Sequence, residues 1–271
     1  MHLTPHLAGL IVAVLSLAAS AAPAPVPDFS AGATGWVTPI AGEYAPVPGS
    51  PSPVLSDPAH PFLNNVEALQ RGVTPTYRIA DLSNPNLKPG VKEAMKKDID
   101  EVLAGKIAYS PSTSCEPSGV PAYLLQPSAL YFVQTPEEIV MIESYDSQVR
   151  HVFLNRAHSA NVMPSWYGES VGHYEGETLV VDTIGVSTKS FVDMYRTPHS
   201  ESLHVVERWS LADGGRALQV RVTVDDPQTY YQPWSGVLRY RKVPQPVQEA
   251  VCAENNQQFD YHMPMARTPD F

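Results

Sequence analysis

Beyond Pro121 the chain takes up a two-residue period, and that period, repeated over eight short segments, leaves few folds open. Leu218, Val220, Val222 and Val224 alternate with Gln219, Arg221, Thr223 and Asp225, the pattern of a strand with one buried and one wet face. Comparable segments cover residues 130–134, 138–145, 148–155, 170–175, 178–184, 203–211, 218–225 and 236–243. Turn signals separate them: Asp146-Ser147 between the second and third, Gly176-Glu177 between the fourth and fifth, and Asp213-Gly214-Gly215 between the sixth and seventh. Eight short strands joined by hairpins predict a mainly β fold, an antiparallel eight-stranded barrel of calycin or lipocalin size, with a sandwich as the alternative.

The residues before Pro121 obey other rules. Leu7 to Ala18 form an apolar run followed by Ala19-Ser20-Ala21, which reads as a signal peptide over residues 1–21, cleaved before Ala22. The run is shorter than the roughly 20 residues that span a bilayer, so stable membrane insertion is not expected. Residues 22–61 carry proline at 23, 25, 27, 39, 46, 48, 51, 53, 58 and 61 and read as an arm or linker, because proline forbids helix and removes ladder donors. In the remaining domain, residues 62–271, one amphipathic helix is expected near 89–104. Val91, Met95, Ile99, Val102 and Leu103 recur at helical spacing, Pro89 suits the first turn, and Glu93 stands four before Lys97.

Charge and cysteine content narrow the partners. With 18 Lys+Arg against 28 Asp+Glu the net charge is -10, and a phosphate-tracking surface needs clustered cations, so nucleic acid is not an expected partner. Export to the periplasm or medium makes a disulfide between the only two cysteines, Cys115 and Cys252, the expected state. Closing so long a loop is worth on the order of 4 kcal/mol in the chain-entropy picture. Neither cysteine lies in a C-x-x-C, which argues against a thiolate zinc site.

Candidate chemistry concentrates in two runs. In the first, a hairpin closed by Gly176-Glu177 pairs Glu175 with Thr178, His173 with Val180, Val171 with Asp182 and Glu169 with Ile184. Opposed residues share a face, so His173, Asp182, Glu169 and Glu175 project together. A histidine diagonal to an aspartate is the arrangement that fixes an imidazole tautomer for proton transfer; a plain solvated face is the alternative. The same run holds Gly168-Glu169-Ser170-Val171-Gly172, a formal G-x-S-x-G, but a strand follows the serine where the nucleophile elbow requires a helix.

The second run is Pro198 to Trp209. His199 lies on the loop leading into a strand that His204 begins, and Glu207 shares a face with Val205, Trp209 and Leu211. A carboxylate among those apolar neighbours needs a cation or a histidine, unless it sits wet at a barrel rim, and Arg208 points the other way. His151, alternating with Val149 and Phe153, reads as a core histidine. Together with His158, His173, His199 and His204 it leaves a zinc or iron site open as an alternative, although no H-E-x-x-H is present and no cofactor is expected. Trp166, Tyr167, Trp209, Tyr231 and Trp234, with His204, are candidates to line a small-molecule pocket, with β-core filling as the alternative.

The run PSWYGESVGHYEGETLVVDT, with PHSESLHVVERW, Asp225-Asp226-Pro227 and Cys252-Ala253-Glu254-Asn255-Asn256, resembles a widespread family of exported, uncharacterised bacterial proteins over most of the chain after Pro61. The resemblance implies export and carries over no catalytic residue or substrate. The expected function is acid–base catalysis on a small organic molecule by a lyase, isomerase or hydrolase. His173 is the base, Asp182 its orienting partner, and His199, Glu207 or Glu169 the acid or polarising group. The alternatives are a lipocalin-like carrier of a small apolar ligand and a periplasmic metal-binding protein. The sequence leaves the oligomeric state open.

Overall fold

In the computed structural model, residues 26–30, 35–38, 42–144 and 148–243 are described. The signal segment, the Asp146-Ser147 turn and Cys252 fall outside them, so the cleavage and disulfide expectations have no structural counterpart here. Two α-helices and ten strands are present among the described residues: β1 (Gly35–Val37), β2 (Ala45–Pro46), α1 (Asn65–Arg71), α2 (Pro89–Leu103), β3 (Leu130–Gln134), β4 (Glu138–Glu143), β5 (Gln148–Leu154), β6 (Glu169–Glu175), β7 (Thr178–Ile184), β8 (His204–Ala212), β9 (Ala217–Asp225) and β10 (Trp234–Val243).

The alternation produces a barrel, as the sequence predicts, but one with nine strands rather than eight and with one parallel step. The strands run in the order β1, β3, β4, β5, β6, β7, β8, β9, β10, and β1 then pairs with β10 to close the ring. β2 is an extra strand laid along β10 at Gly236 and Val237. The ninth strand comes from the proline-rich arm, where Gly35-Trp36-Val37 is a proline-free interval that reaches both β3 and β10. Closure removes the free edges that an open sheet would expose.

The hairpin of β6 and β7 has the register its turn dictates. Glu175 faces Thr178, His173 faces Val180, Val171 faces Asp182 and Glu169 faces Ile184. β5 and β6, in contrast, pair in parallel, Val152 with Ser170 and Leu154 with Gly172. A parallel step needs a long crossover rather than a tight turn, and residues 155–168 supply it without a helix. That crossover comes back onto the sheet at Gly168, whose φ is +62°. A Cβ there would stand 2.4 Å from Ile184 O, so glycine is required both by dihedral and by space.

The lumen is filled. Val205, Trp209, Leu218, Val220, Val222, Val224 and Trp234 are fully buried on its wall, and Phe132 meets Trp209 edge-on with centroids 5.4 Å apart. The segment before β3 corks one end: Ala122, Tyr123, Leu124 and Leu125 form a buried single 3-10 turn. Tyr240 donates to Leu124 O at 2.7 Å and Tyr44 to Pro121 O at 2.9 Å, so the turn's own carbonyls are satisfied by barrel hydroxyls.

Helix α2 is where the spacing places it, with Pro89 at its start and Met95, Ile99 and Val102 buried. It also buries Asp98, which binds Arg196 of the β7–β8 connection at 2.6 Å and so ties the helix to the barrel. Helix α1 was not expected. Its seven residues have one buried side chain, Ala68, and it is held instead by caps, Asn64 accepting from Glu67 N and Gly72 closing the other end. No helix among the described residues is long and apolar enough to cross a membrane.

Candidate functional site

Each strand of the barrel shows one face to the lumen and one outward, and this division separates the candidate residues into two groups. The inward group centres on Glu207 of β8, which is fully buried, so the wet-rim alternative does not apply. The cation it needs is Arg150 of β5, which alternates inward with Val152 and Leu154 and is 2 % exposed. Arg150 Nη1 donates to Glu207 Oε1 at 2.8 Å and Oε2 at 3.0 Å, and also to the Tyr123 hydroxyl. Its Nη2 donates to Thr183 Oγ1 at 2.8 Å, and its Nε donates to Ser170 Oγ at 3.1 Å. Trp209 Nε1 donates to Glu207 Oε2 at 2.9 Å.

Burial is the largest single influence on the Arg150 guanidinium and would lower its pKa, but the Glu207 carboxylate and the Tyr123 hydroxyl together outweigh it and the net shift is upward. Ser170, the serine of the formal G-x-S-x-G, is therefore a lumen hydroxyl on a strand, shared between Arg150 and Thr183, and not an exposed nucleophile. Two of the three tryptophans offered as pocket residues, Trp209 and Trp234, are fully buried core.

The outward group centres on Asp182 of β7. The sequence places His173 beside it, but His173 lies at the exposed end of β6 and its Nε2 is 3.1 Å from Glu175 Oε1, while Arg208 Nη2 donates to Glu175 Oε2 at 2.6 Å. The imidazoles on Asp182 are two others. His158 of the crossover brings Nε2 to 2.9 Å from Asp182 Oδ1, and His204 at the start of β8 brings Nε2 to 3.0 Å from the same oxygen.

On its other side His158 Nδ1 lies 3.0 Å from Glu169 Oε1. Glu169 also accepts from Ser159 N at 2.7 Å and Ser159 Oγ at 2.5 Å. The result is a continuous chain, Glu169, His158, Asp182, His204, on the outside of the barrel. An ionised carboxylate only accepts, so each of the two His158 contacts is a hydrogen bond when its ring nitrogen carries the hydrogen. His204 spends Nε2–H on Asp182, and its Nδ1 has no partner among the described residues.

The electrostatics follow the contacts. Hydrogen bonding from His204, against partial burial and with help from His158, holds the Asp182 carboxyl below its usual range. The same bond raises His204 above an ordinary histidine. Glu169 is lowered by the two Ser159 donors, then by His158. His204 is 41 % exposed at its side chain, which leaves the ring able to meet a molecule from solvent.

Compared with family models, curated proteins and solved structures, the chain finds no match. What it does chemically has to be read from its own side chains.

The remaining candidates do not converge on Asp182. His199 is 7 % exposed on the β7–β8 connection, its Nδ1 donating to Ser200 O at 2.9 Å and its Nε2 2.9 Å from the buried Ser190 hydroxyl; burial lowers its pKa. Tyr231 is exposed at 61 %, near Lys88. Trp166 and Tyr167 are half-buried in the crossover, where Tyr167 meets Tyr123 edge-on. His151 is an outer-face residue paired with Glu138 at 2.5 Å rather than a core histidine. Among the described residues no group of three or more His, Cys, Asp or Glu is disposed to hold a metal ion.

Sequence reasoning counts His158 only among the scattered histidines of an open metal site and does not bring it to Asp182, because it sits in an irregular loop where no periodicity locates it. Arg150 carried a readable signal, a cation in an inward column facing the strand set that holds Glu207. The Asp225-Asp226-Pro227 motif carries no sign that Asp226 is fully buried. Burial works to raise its pKa, but donors from Ser200 N, Ser200 Oγ, Gln228 N and Thr229 Oγ1 outweigh it, so it latches two loops together in its charged form.

Proposed function

We propose that the protein is an exported enzyme that moves a proton on a small organic molecule, with His204 as the general base. The observation that carries this reading is the single oxygen Asp182 Oδ1, which receives Nε2 of both His158 and His204. A carboxylate on Nε2 fixes the tautomer with the lone pair at Nδ1, orients the ring and raises its basicity. His204 Nδ1 has no hydrogen-bond partner among the described residues, on a side chain that is 41 % exposed. Asp182 is then a positioning residue, and His158 with Glu169 braces it from the crossover. His173, the base expected from register alone, serves the neighbouring Glu175–Arg208 pair in this reading. A positioned base of this kind contributes roughly 10²–10⁴-fold to rate.

Export rests on the apolar N-terminal run and on the family its motifs resemble. Lyase, isomerase and hydrolase chemistry would each use such a base. The test is a turnover screen of esters, lactones and carbon acids with the wild type, His204→Ala and Asp182→Asn. Loss of at least about a hundredfold in both variants, with circular dichroism unchanged, is the expected result. Equal activity in His204→Ala and wild type would overturn the assignment.

A carrier is the second reading. The observation that favours it is a cavity outside the packed lumen, between the segments that flank α2 in sequence, the cork and the β7–β8 connection.

A further inference from the structure

A second histidine–carboxylate pair stands on the outer face of the barrel, two strands from Asp182. His151 of β5 alternates outward with Val149 and Phe153, and its Nδ1 lies 2.5 Å from Glu138 Oε1 on the neighbouring β4. An ionised carboxylate only accepts, so Nδ1 carries the hydrogen and the neutral ring keeps its lone pair at Nε2. Nε2 has no hydrogen-bond partner among the described residues, on a side chain that is 53 % exposed.

The ring borders a cleft of about 470 Å³, lined by Val149, His151 and Phe153 of β5 and by Val162 and Met163 of the crossover. Glu138 draws the Nδ1 edge of the ring toward β4, whereas the cleft lies on the β6 side of β5, with Glu169 on its wall. The edge carrying Nε2 is left to the cleft. Val149 is 43 % and Met163 85 % exposed, and the two line the same space from different elements. Exposed apolar side chains scattered singly need no explanation. Two of them sharing a cleft with an unbonded imidazole nitrogen have the make-up of a small-molecule site, mainly apolar with a few polar groups.

The charges around the cleft restrict its occupant. Among the described residues one guanidinium lines it, that of Arg150, and all three of its nitrogens are engaged in the lumen. Arg156 stands over the Phe153 ring, its Cζ 3.6 Å from the centroid, and is not a lining residue. Glu138 behind the imidazole and Glu169 on the wall repel an anion. Glu169 already takes Ser159 and His158 on its oxygens and Glu138 takes His151, so neither is set aside for a cation. What stands open is an acceptor, which suits a neutral molecule with one hydroxyl to donate. The Met163 thioether and the Phe153 ring favour an aromatic body over an aliphatic one.

We propose that this cleft binds a small neutral phenol, its hydroxyl donating to His151 Nε2 and its ring against Val149 and Met163. The assignment uses neither Asp182 nor His204, neither of which lines the cleft, and its test reads binding rather than turnover, so it stands or falls apart from the acid–base reading. The probe is p-cresol. Its counterparts are p-methylanisole, which lacks the donor, p-toluate as the anion and p-methylbenzylamine as the cation. Each is titrated into the full chain by calorimetry at about pH 8.5, above the range in which histidines ordinarily change charge.

Saturable binding of p-cresol, about fivefold or more tighter than each counterpart, is the expected result, the worth of one hydrogen bond. His151→Phe keeps a ring beside Phe153, removes the acceptor and should weaken p-cresol by about fivefold or more. Because that change also frees Glu138, Met163→Ser provides a second variant, at a side chain too exposed to matter for folding; it should weaken binding by about threefold. A third readout needs no variant: the ¹⁵N resonance of His151 Nε2 should move upfield in proportion to bound p-cresol, as a lone-pair nitrogen does on accepting a hydrogen bond. No saturable binding of p-cresol, equal affinity for p-methylanisole, tighter binding of the anion or the cation, undiminished binding in either folded variant, or an unmoved Nε2 resonance at saturation would each overturn the proposal.

Discussion

Replacing Arg150 by methionine should be among the most damaging single changes in the barrel, and the structure shows why. Arg150 is 2 % exposed and Glu207 fully buried, so neither charge has water to fall back on. In Arg150→Met the Glu207 carboxylate keeps one donor, Trp209 Nε1 at 2.9 Å, for two oxygens. Leaving one partner of a buried pair uncompensated costs about 3–5 kcal/mol. For a chain of this size that corresponds to a fall in Tm of roughly 6–20 °C.

Glu207→Gln alone leaves the Arg150 charge without its counterion and should also destabilise strongly. The double variant Arg150→Met with Glu207→Gln removes both charges of this pair. Ser170 and Thr183 still bond each other at 2.9 Å, Tyr123 still has Met141 Sδ at 3.3 Å, and the new amide can accept from Trp209. It should recover at least about 2 kcal/mol relative to the sum of the single losses. Urea unfolding followed by tryptophan fluorescence, with Trp209 as an adjacent reporter, measures all four corners of the cycle. A cost below about 1 kcal/mol for Arg150→Met, or additive losses in the double variant, would refute the account of the lumen.

Asp182→Asn should lower the His204 titration midpoint toward the ordinary 6.5, read from its imidazole by NMR. The Asp182–His204 bond contributes stability that is present above the unfolded aspartate pKa of about 3.8 and is lost as pH rises through the raised His204 pKa; with both groups partly exposed, the effect should stay under about 1 kcal/mol. Asp193 behaves oppositely to a paired acid. Burial pushes its carboxyl up to about 6 from 3.8, so the contribution is full below 3.8 and lost as pH rises through 6. Urea midpoints at pH 4–7 should show Asp193→Asn gaining on the wild type by on the order of 2 kcal/mol as pH rises, and a pH-independent gap would count against buried Asp193. Gly168→Ala should cost at least about 1–2 kcal/mol from the left-handed φ alone, more from the contact with Ile184 O, and a neutral result would exclude the described crossover path. Intact mass after alkylation should show Cys115 and Cys252 unavailable until reductant is added.

Much of this architecture could be read before any coordinates. The β6–β7 register follows from two residues, Gly176-Glu177, because a two-residue loop fixes every pair behind it. Alternation placed Glu207 inward and identified its need for a cation. Three things escaped, each for a physical reason. β1 is three residues inside a proline-rich stretch, too short for any period, and its pairing is set by the strands it closes. The parallel step from β5 to β6 is written in neither strand, since alternation is the same for either direction. The choice of histidine for Asp182 was decided by loop path: register put His173 diagonal to Asp182, yet a side chain at the wet end of a strand takes the nearest carboxylate, Glu175, while the crossover lays His158 over the middle of the sheet.

The parallel step and the Asp182 chain are consequences of one another. Had β5 and β6 been joined by a hairpin, no segment would cross the outer face, and Asp182 would hold His204 alone beside open solvent. The crossover brings His158 and Ser159 to Glu169 and Asp182, converting a half-exposed aspartate into one held from two sides. Inside the barrel the same strands carry the opposite solution. There Ser170 and Thr183, neighbours in sequence of Glu169 and Asp182, satisfy a buried guanidinium and hold β5, β6 and β7 together. Each of these two strands therefore places a structural hydroxyl inward next to a carboxylate outward. A change at Ser170 or Thr183 should disturb the outer chain by shifting the strand beneath it, whereas a change at His204 should leave the lumen network intact.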